Sequence, residues 1–252
     1  MPNEIRIIRE QYQGMIDILT KRPTDLFLSS ACRRYFAWSN TKLRRATPTA
    51  FGKPSDAVMP GTVAHNRIQI DDESFESGTR TARLINPLAA LDDIFVRADT
   101  RKVLSIGPRT EIELLHLVAV GVLLENIKAI DLISNSPWIE LGDMHQLPYP
   151  DRSFDITISG WVLGYSRDPQ KAIDEMVRVT RDGGLIAIGA TYNSEADQIE
   201  YKDDAAKIQG RIFRRAEEFR QMLGSAVKAI HFQSEPEQDE TGPVMLIARI
   251  KR

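Results

Sequence analysis

Cysteine is almost missing from this chain of 252 residues. Cys32 stands alone, so neither an internal disulfide framework nor a thiolate-held zinc or iron–sulfur cluster is open to it. An excess of charge of one sign is missing too. Lys and Arg total 33 against 35 Asp and Glu, a formal charge of -2, which leaves no whole-molecule field to gather nucleic acid or an anionic membrane. The longest apolar run, Leu114 to Leu124, is broken by His116 and falls short of the roughly 18 residues a membrane span needs. The start, Met-Pro-Asn-Glu-Ile-Arg, lacks the basic-then-apolar pattern of a signal peptide, so a cytoplasmic location is the expectation. His65, His116, His145 and His231 fall in no metal-ligand spacing, and no metal is expected. What is left, 42% hydrophobic and 27% charged residues, suits a globular chain with one large domain, or one of ordinary size plus an extension.

From about residue 102 onward, short apolar runs alternate with amphipathic helical patterns, the mark of a mostly parallel sheet covered by helices. Val103 to Gly107 reads as a buried strand ending at a glycine. Thr110 then opens a helix, with Glu113 three residues on in a capping-box pattern. Asn126 to Asp131, Trp138 to Leu141 and Phe154 to Ser159 read as further strands. Asp168-Pro169 is an N-cap with a first-turn proline, followed by an apolar stripe of Ala172, Ile173, Met176, Val177 and Val179. Asp182-Gly183-Gly184 turns into the strand Leu185 to Ala190. A helix from about Ala216 to Leu223 precedes two strand-like runs, Val227 to Gln233 and Val244 to Ile250, which an antiparallel pairing across Thr241-Gly242-Pro243 would join.

The first 99 residues break this rhythm and read as a mainly helical extension over the domain of residues 100–252. Ile5, Ile8, Tyr12, Met15, Ile16 and Leu19 share one helix face. Leu26 to Ser55 holds no acidic residue but carries Arg33, Arg34, Lys42, Arg44, Arg45 and Lys53. Val58 to Ile70 reads as strand or loop, and Asp71, Asp72, Glu73 and Glu76 form an acidic cluster. Asn86-Pro87 is expected to cap a helix running to about Val96.

In an open parallel sheet, ligands lie beyond the carboxyl ends of the strands, near the reversal of strand order. The first such loop, Gly107-Pro108-Arg109-Thr110-Glu111, keeps one glycine of a dinucleotide fingerprint and places Glu111 and Glu113 where a pyrophosphate would sit. That pattern counts against NAD, FAD and nucleoside triphosphates, and it tolerates a cofactor bearing an ammonium and no phosphate. Asp131, 24 positions past Gly107 at a strand end, is placed to accept ribose hydroxyls or simply to form a turn.

The run Leu141-Gly142-Asp143-Met144-His145-Gln146-Leu147-Pro148-Tyr149-Pro150-Asp151-Arg152-Ser153-Phe154-Asp155 resembles the G-D-x-x-x-L-P-(F/Y)-x-D-x-S-F-D signature of class I S-adenosylmethionine-dependent methyltransferases, type 11-like. The likeness spans about residues 100 to 192, through Trp161-Val162-Leu163-Gly164-Tyr165 and Asp182-Gly183-Gly184. It implies a Rossmann-like, doubly wound, mostly parallel seven-stranded sheet with an antiparallel C-terminal edge strand. It also implies S-adenosyl-L-methionine as cofactor and S-adenosyl-L-homocysteine as product. By the same likeness, Gly107 with Pro108 lies against the methionyl part and Asp131 with Leu132 holds the ribose. Asp143 accepts from the adenine amino group, Met144 and His145 line the adenine side, Ser159 and Gly160 meet the ammonium, and Trp161 to Tyr165 wall the cleft.

The chain departs from that pattern at two places: Ser105 stands where an acidic residue is usual, and Arg109 and Glu111 replace two glycines. Glu111 or a backbone carbonyl is expected to stand in for the lost carboxylate, and Arg109 to reach the cofactor's carboxylate. Tyr165 and His145 are the candidate general bases; wall and packing roles are the plainer readings of each. Tyr35, Phe36 and Trp38 beside Arg33, Arg34, Arg44 and Arg45 would cover the cleft and attract an anionic group, or form an ordinary solvated face. The expected activity is O-methylation of a small-molecule or carbohydrate acceptor, with no nucleic acid or membrane partner and a homodimer left open. The competing readings are an RNA methyltransferase and a cofactor-binding relative that regulates without catalysis.

Overall fold

The computed structural model describes residues 9–44, 47–71, 79–194, 211–238 and 240–251. Its helices are α1 (Arg9–Lys21), α2 (Ser30–Arg44), α3 (Thr62–Asp71), α4 (Thr79–Ala89), α5 (Asp92–Phe95), α6 (Ile112–Ala119), α7 (Pro169–Val179) and α8 (Ala216–Leu223). Its strands are β1 (Thr49–Ala50), β2 (Val103–Ile106), β3 (Ile127–Asp131), β4 (Ile133–Ser134), β5 (Glu140–Leu141), β6 (Phe154–Gly160), β7 (Thr180–Tyr192), β8 (Val227–Ser234) and β9 (Gly242–Ile250).

Seven strands form one sheet in the order β5-β3-β2-β6-β7-β9-β8. The pairs from β5 to β7 are parallel, and β9 runs antiparallel to both of its neighbours. The fold is the Rossmann-like, doubly wound architecture expected, with β9 wedged one place in from the edge that β8 forms. The central strands carry apolar side chains on both faces because helices cover both faces, and β2 and β6 are buried almost throughout. On one face Leu104, Ile130 and Ile186 pack under Ile173 and Met176 of α7 and Phe219 of α8. On the other, Val103, Ile158 and Ala187 pack under Leu84 and Leu88 of α4 and Leu114 and Leu117 of α6. The chain crosses from one side of β2 to the other between β3 and β6, which places the ligand crevice over the carboxyl ends of β2 and β6.

Local rules explain most elements. Asp168 caps α7 by accepting the Lys171 backbone N–H at 3.1 Å, with Pro169 in the first turn. Three expectations need correction. The helix expected to start at Asn86-Pro87 is instead the end of α4, with Pro87 inside it and a break before α5. An internal proline costs about 3 kcal/mol, but Leu84, Ile85 and Leu88 are fully buried, at about 1.5–3 kcal/mol each, and packing wins. Val58 to Ile70 is helical from Thr62 onward. The capping box expected at Thr110 and Glu113 does not form: Glu111 is the N-cap, without a side-chain bond to the helix's first turn, and the Glu113 carboxyl turns to Ser105 instead.

The N-terminal extension runs across the carboxyl edge of the sheet as a strap. Thr49 and Ala50 pair with Ser134 and Ile133, and the Phe51 N–H donates to the Leu132 carbonyl at 2.8 Å. The Met59 N–H then donates to the Tyr165 carbonyl at 3.1 Å, and the Arg167 N–H to the Ala57 carbonyl at 2.7 Å. Tyr12, Met15 and Ile16 of α1 stay exposed. Ile5, Ile8, Arg45 and the acidic residues Asp72, Glu73 and Glu76 lie outside the described residues.

Candidate active site

The site is built on the loop after β2. Gly107 sits at φ +71, and a Cβ there would come within 2.2 Å of Val162 Cγ1, so glycine is required twice over. Arg109 is also left-handed, at φ +55, which aims its backbone N–H at Asp131 Oδ2, 2.9 Å away. The Ile133 N–H reaches the other oxygen at 3.3 Å. Burial pushes the Asp131 pKa up, and these backbone donors and the Arg109 charge pull against it. A carboxylate has about four lone-pair positions, more than these two bonds use.

One strand outward, Gly142 lies where a Cβ would meet Ile130 Cδ1 at 2.2 Å, which brings the Asp143 backbone close over the sheet. The Asp143 carboxylate accepts from the His145 backbone N–H at 2.9 Å, from His145 Nδ1 at 2.6 Å and from the Ser55 N–H of the strap at 2.6 Å. Burial alone would raise its pKa, but these donors, the His145 ring foremost, hold it well below the usual carboxylate range. His145 Nε2 meets Ser166 Oγ at 2.6 Å, and Ser166 Oγ in turn accepts the Asp168 N–H at 3.0 Å. Both ring nitrogens of His145 are engaged and its side chain has no exposed surface. Its geometry is that of a brace joining the Asp143 loop to the Ser166 loop.

Between these loops lies a cleft that opens to solvent. Gly107, Asp131, Leu132, Asp143 and Met144 line it, and Val58, Thr62 and Asn66 of the strap and Tyr165 close over it. The structure thus gathers Gly107, Asp131, Leu132, Asp143, Met144 and Tyr165 at one place. Pro108 is buried in the loop beside them. The Arg109 guanidinium reaches Asn66 Oδ1 of α3 at 3.4 Å, which ties the strap to the loop. Ser159 is buried at the end of β6, its hydroxyl without a hydrogen-bond partner among the described residues. Trp161, at φ +60, lays its ring against Gly189 and donates its indole N–H to Thr191 at 2.9 Å.

Two acidic residues trade places relative to expectation. Glu111 accepts from Asn40 of α2 at 2.8 Å and from Ser136 at 2.6 Å, so it anchors the extension. Glu113 is the carboxyl beside Ser105, 2.5 Å from its hydroxyl. Burial, together with the like charge of Asp131, pushes the Glu113 pKa up to about 7 against the pull of the Ser105 bond. Sequence reasoning also missed His65. Its Nε2 lies 3.2 Å from the Tyr165 hydroxyl with the rings 5.5 Å apart. The two positions are 100 residues apart, and nothing in local spacing joins them. His116, on the far side of α6, is buried with Nδ1 unpartnered among the described residues, and burial followed by Arg33 lowers its pKa to about 4.

Residues 113–188 match the family described as "Methyltransferase domain", less than a third of the chain. Residues 113–188 thus carry the sequence pattern of a methyltransferase domain. Among curated proteins it is 41% identical over 64 residues to a demethylmenaquinone methyltransferase of Desulfitobacterium hafniense, covering 23% of this chain and 25% of that protein. It is 31% identical over 113 residues to a malonyl-[acyl-carrier protein] O-methyltransferase of Halorhodospira halophila, covering 40% and 38%. The chain therefore spans only a quarter to two-fifths of these relatives' lengths. Among solved structures, the trans-methyltransferase CalH in complex with SAH shares the fold at a TM-score of 0.53, 10% identity, with 73% of this chain and 61% of that one covered. A Burkholderia thailandensis 1,6-didemethyltoxoflavin-N1-methyltransferase does so at 0.50, 15% identity, covering 81% and 95%.

The methyltransferase domain's own residues fit the group its family uses. Gly107, Asp131, Asp143 and Met144 all line the cleft, and its two carboxylates are acceptors suited to hydroxyl and amino groups.

Proposed function

We propose that the protein is an S-adenosylmethionine-dependent methyltransferase acting on a small-molecule or carbohydrate acceptor, with methylation at oxygen by in-line displacement. The observation that carries this reading is the cleft over β3, β2 and β5 into which Gly107, Asp131, Asp143 and Met144 converge under the strap. Asp131 is assigned the ribose hydroxyls and Asp143 the adenine amino group, with Met144 against the ring.

The cofactor supplies an activated methyl group on a sulfonium. The chain must align an acceptor and exclude water, which is orientation work. Tyr165 and Thr62 line the cleft, and the strap closes it. His65 beside the Tyr165 hydroxyl gives a pair able to take a proton from an acceptor hydroxyl, which favours oxygen as the methylated atom. His145, with both nitrogens engaged, is assigned a positioning role. The relatives' named substrates differ, demethylmenaquinone in one and malonyl-[acyl-carrier protein] in another, so the acceptor class is drawn from the cleft.

Calorimetric titration with S-adenosylmethionine and S-adenosylhomocysteine, followed by transfer of labelled methyl to a panel of hydroxy acids, sugars, quinols and RNA, tests the proposal. Binding of both nucleosides with label entering a hydroxylated small molecule is the expected result. Label entering RNA alone would overturn the acceptor assignment, and binding of neither nucleoside would overturn the proposal.

A further inference from the structure

A buried carboxyl with no cation beside it carries a standing cost, because burial disfavours its charged form. Glu113 is such a group. It is 2% exposed and, among the described residues, forms no ion pair and one side-chain hydrogen bond, from Ser105 to Oε1. Its other oxygen lies against Gly160 at the end of β6, where an added Cβ would come within 3.3 Å, so the absence of a side chain there lets the carboxyl reach the strand end. A structural purpose would be served as well by glutamine or leucine. A buried carboxyl at a strand end, with no cation of its own among the described residues, suits a cation that arrives from outside.

The sheet order says which cation. Strands β5, β3, β2 and β6 lie side by side, and their carboxyl ends carry Asp143, Asp131, the Ser105–Glu113 pair and Gly160 in that order. On the proposed reading the first two positions take adenine and ribose. The next place along the same line falls beyond the ribose, where the amino-acid tail of the cofactor must go. We infer that Glu113 binds the ammonium group of that tail, a carboxylate delivered by α6 to the strand end where Ser105 has none. The inference rests on the proposed function above and names the residue that completes its site.

The acidity of Glu113 agrees. Facing it are the neutral hydroxyl of Ser105 from β2, the backbone of Gly160 from β6 and the like charge of Asp131 from β3; its pKa of about 7 keeps it largely protonated at pH 6. An arriving ammonium favours the carboxylate, so the proton leaves to buffer as the ligand binds, and charge balances across the exchange.

Titration of wild type and Glu113→Gln with S-adenosylhomocysteine, S-adenosylmethionine and 5′-methylthioadenosine tests this. The first ligand keeps the ammonium and lacks the sulfonium, and the last lacks both. Wild type is expected to bind all three and, at pH 6, to release close to one proton with the first two. Glu113→Gln is expected to bind the two amino-acid-bearing ligands on the order of 10–100-fold more weakly, to release no proton, and to bind 5′-methylthioadenosine as wild type does. Gly160→Ala, whose added Cβ would crowd Glu113 Oε2 at 3.3 Å, should weaken the same two ligands. Equal affinity of wild type and Glu113→Gln for S-adenosylhomocysteine would overturn the inference. So would weakening confined to S-adenosylmethionine, which would make the sulfonium the partner, or loss of all three ligands, which would make the carboxyl a support of the fold. If wild type binds none of the three, the proposed function itself fails.

Discussion

Replacing Glu113 by glutamine should make the ligand-free protein more stable at alkaline pH, and by an amount the structure bounds. The side chain is fully buried, and its pKa rises from the ordinary 4.5 to about 7. The sign follows from proton counting. Between those two values the folded protein holds a proton that the unfolded chain has lost, so stability falls as pH rises through this window and stays low above it. At 1.36 kcal/mol per pH unit the full cost is about 3 kcal/mol. Glutamine keeps the shape and an oxygen for the Ser105 hydroxyl but has nothing to ionise. Wild type and Glu113→Gln should therefore unfold alike near pH 4.5, and the variant should lead by up to about 3 kcal/mol at pH 8. For a chain of this size that gap is worth several degrees in Tm, at roughly 2–4 °C per kcal/mol. Thermal or urea unfolding across pH 4.5 to 8 reads it directly. A constant difference between the two proteins over that range would refute the reasoning, because the carboxyl would then not be ionising at a cost.

Three further outcomes follow from the same geometry. Asp131→Asn should weaken S-adenosylhomocysteine binding about ten- to a hundredfold in calorimetry, since charge-assisted hydrogen bonds are worth about 1.5–3 kcal/mol; unchanged binding would remove Asp131 from the ribose site. Gly107→Ala combines a left-handed residue with an overlap at Val162 and should destabilise by about 2–4 kcal/mol in denaturant unfolding, with Val162→Ala restoring the part due to overlap. His145→Ala removes the ring that braces Asp143 to Ser166 and should cost about 2–4 kcal/mol of stability; a variant that folds normally but has lost methyl transfer would instead make His145 a proton carrier.

The domain from Val103 onward was legible because its signals are local. Apolar runs ending in glycine or aspartate mark β2 and β3, and Asp168-Pro169 marks the start of α7. Asp131 could be singled out from its place at a strand end, and Asp143 and Met144 from the likeness of residues 141–155 to the methyltransferase signature. The extension was less legible because its structure is set by distant partners. The strap is positioned by Leu132, Ser134, Asp143 and Tyr165, each more than 70 residues away in the chain, and α3 shows little amphipathic pattern to announce it. The exchange of roles between Glu111 and Glu113 was hidden for a related reason. Both suit the first turn of a helix, and only the packing of α6 against β2 and α2 decides which carboxyl meets Ser105 and which meets Asn40.

A crystal structure of the protein grown with S-adenosylhomocysteine tests the central claim most directly. The account predicts the nucleoside under the strap, with the ribose hydroxyls on Asp131, the adenine amino group on Asp143 and the ring against Met144. A ligand bound elsewhere, or one that leaves both carboxylates untouched, would contradict it.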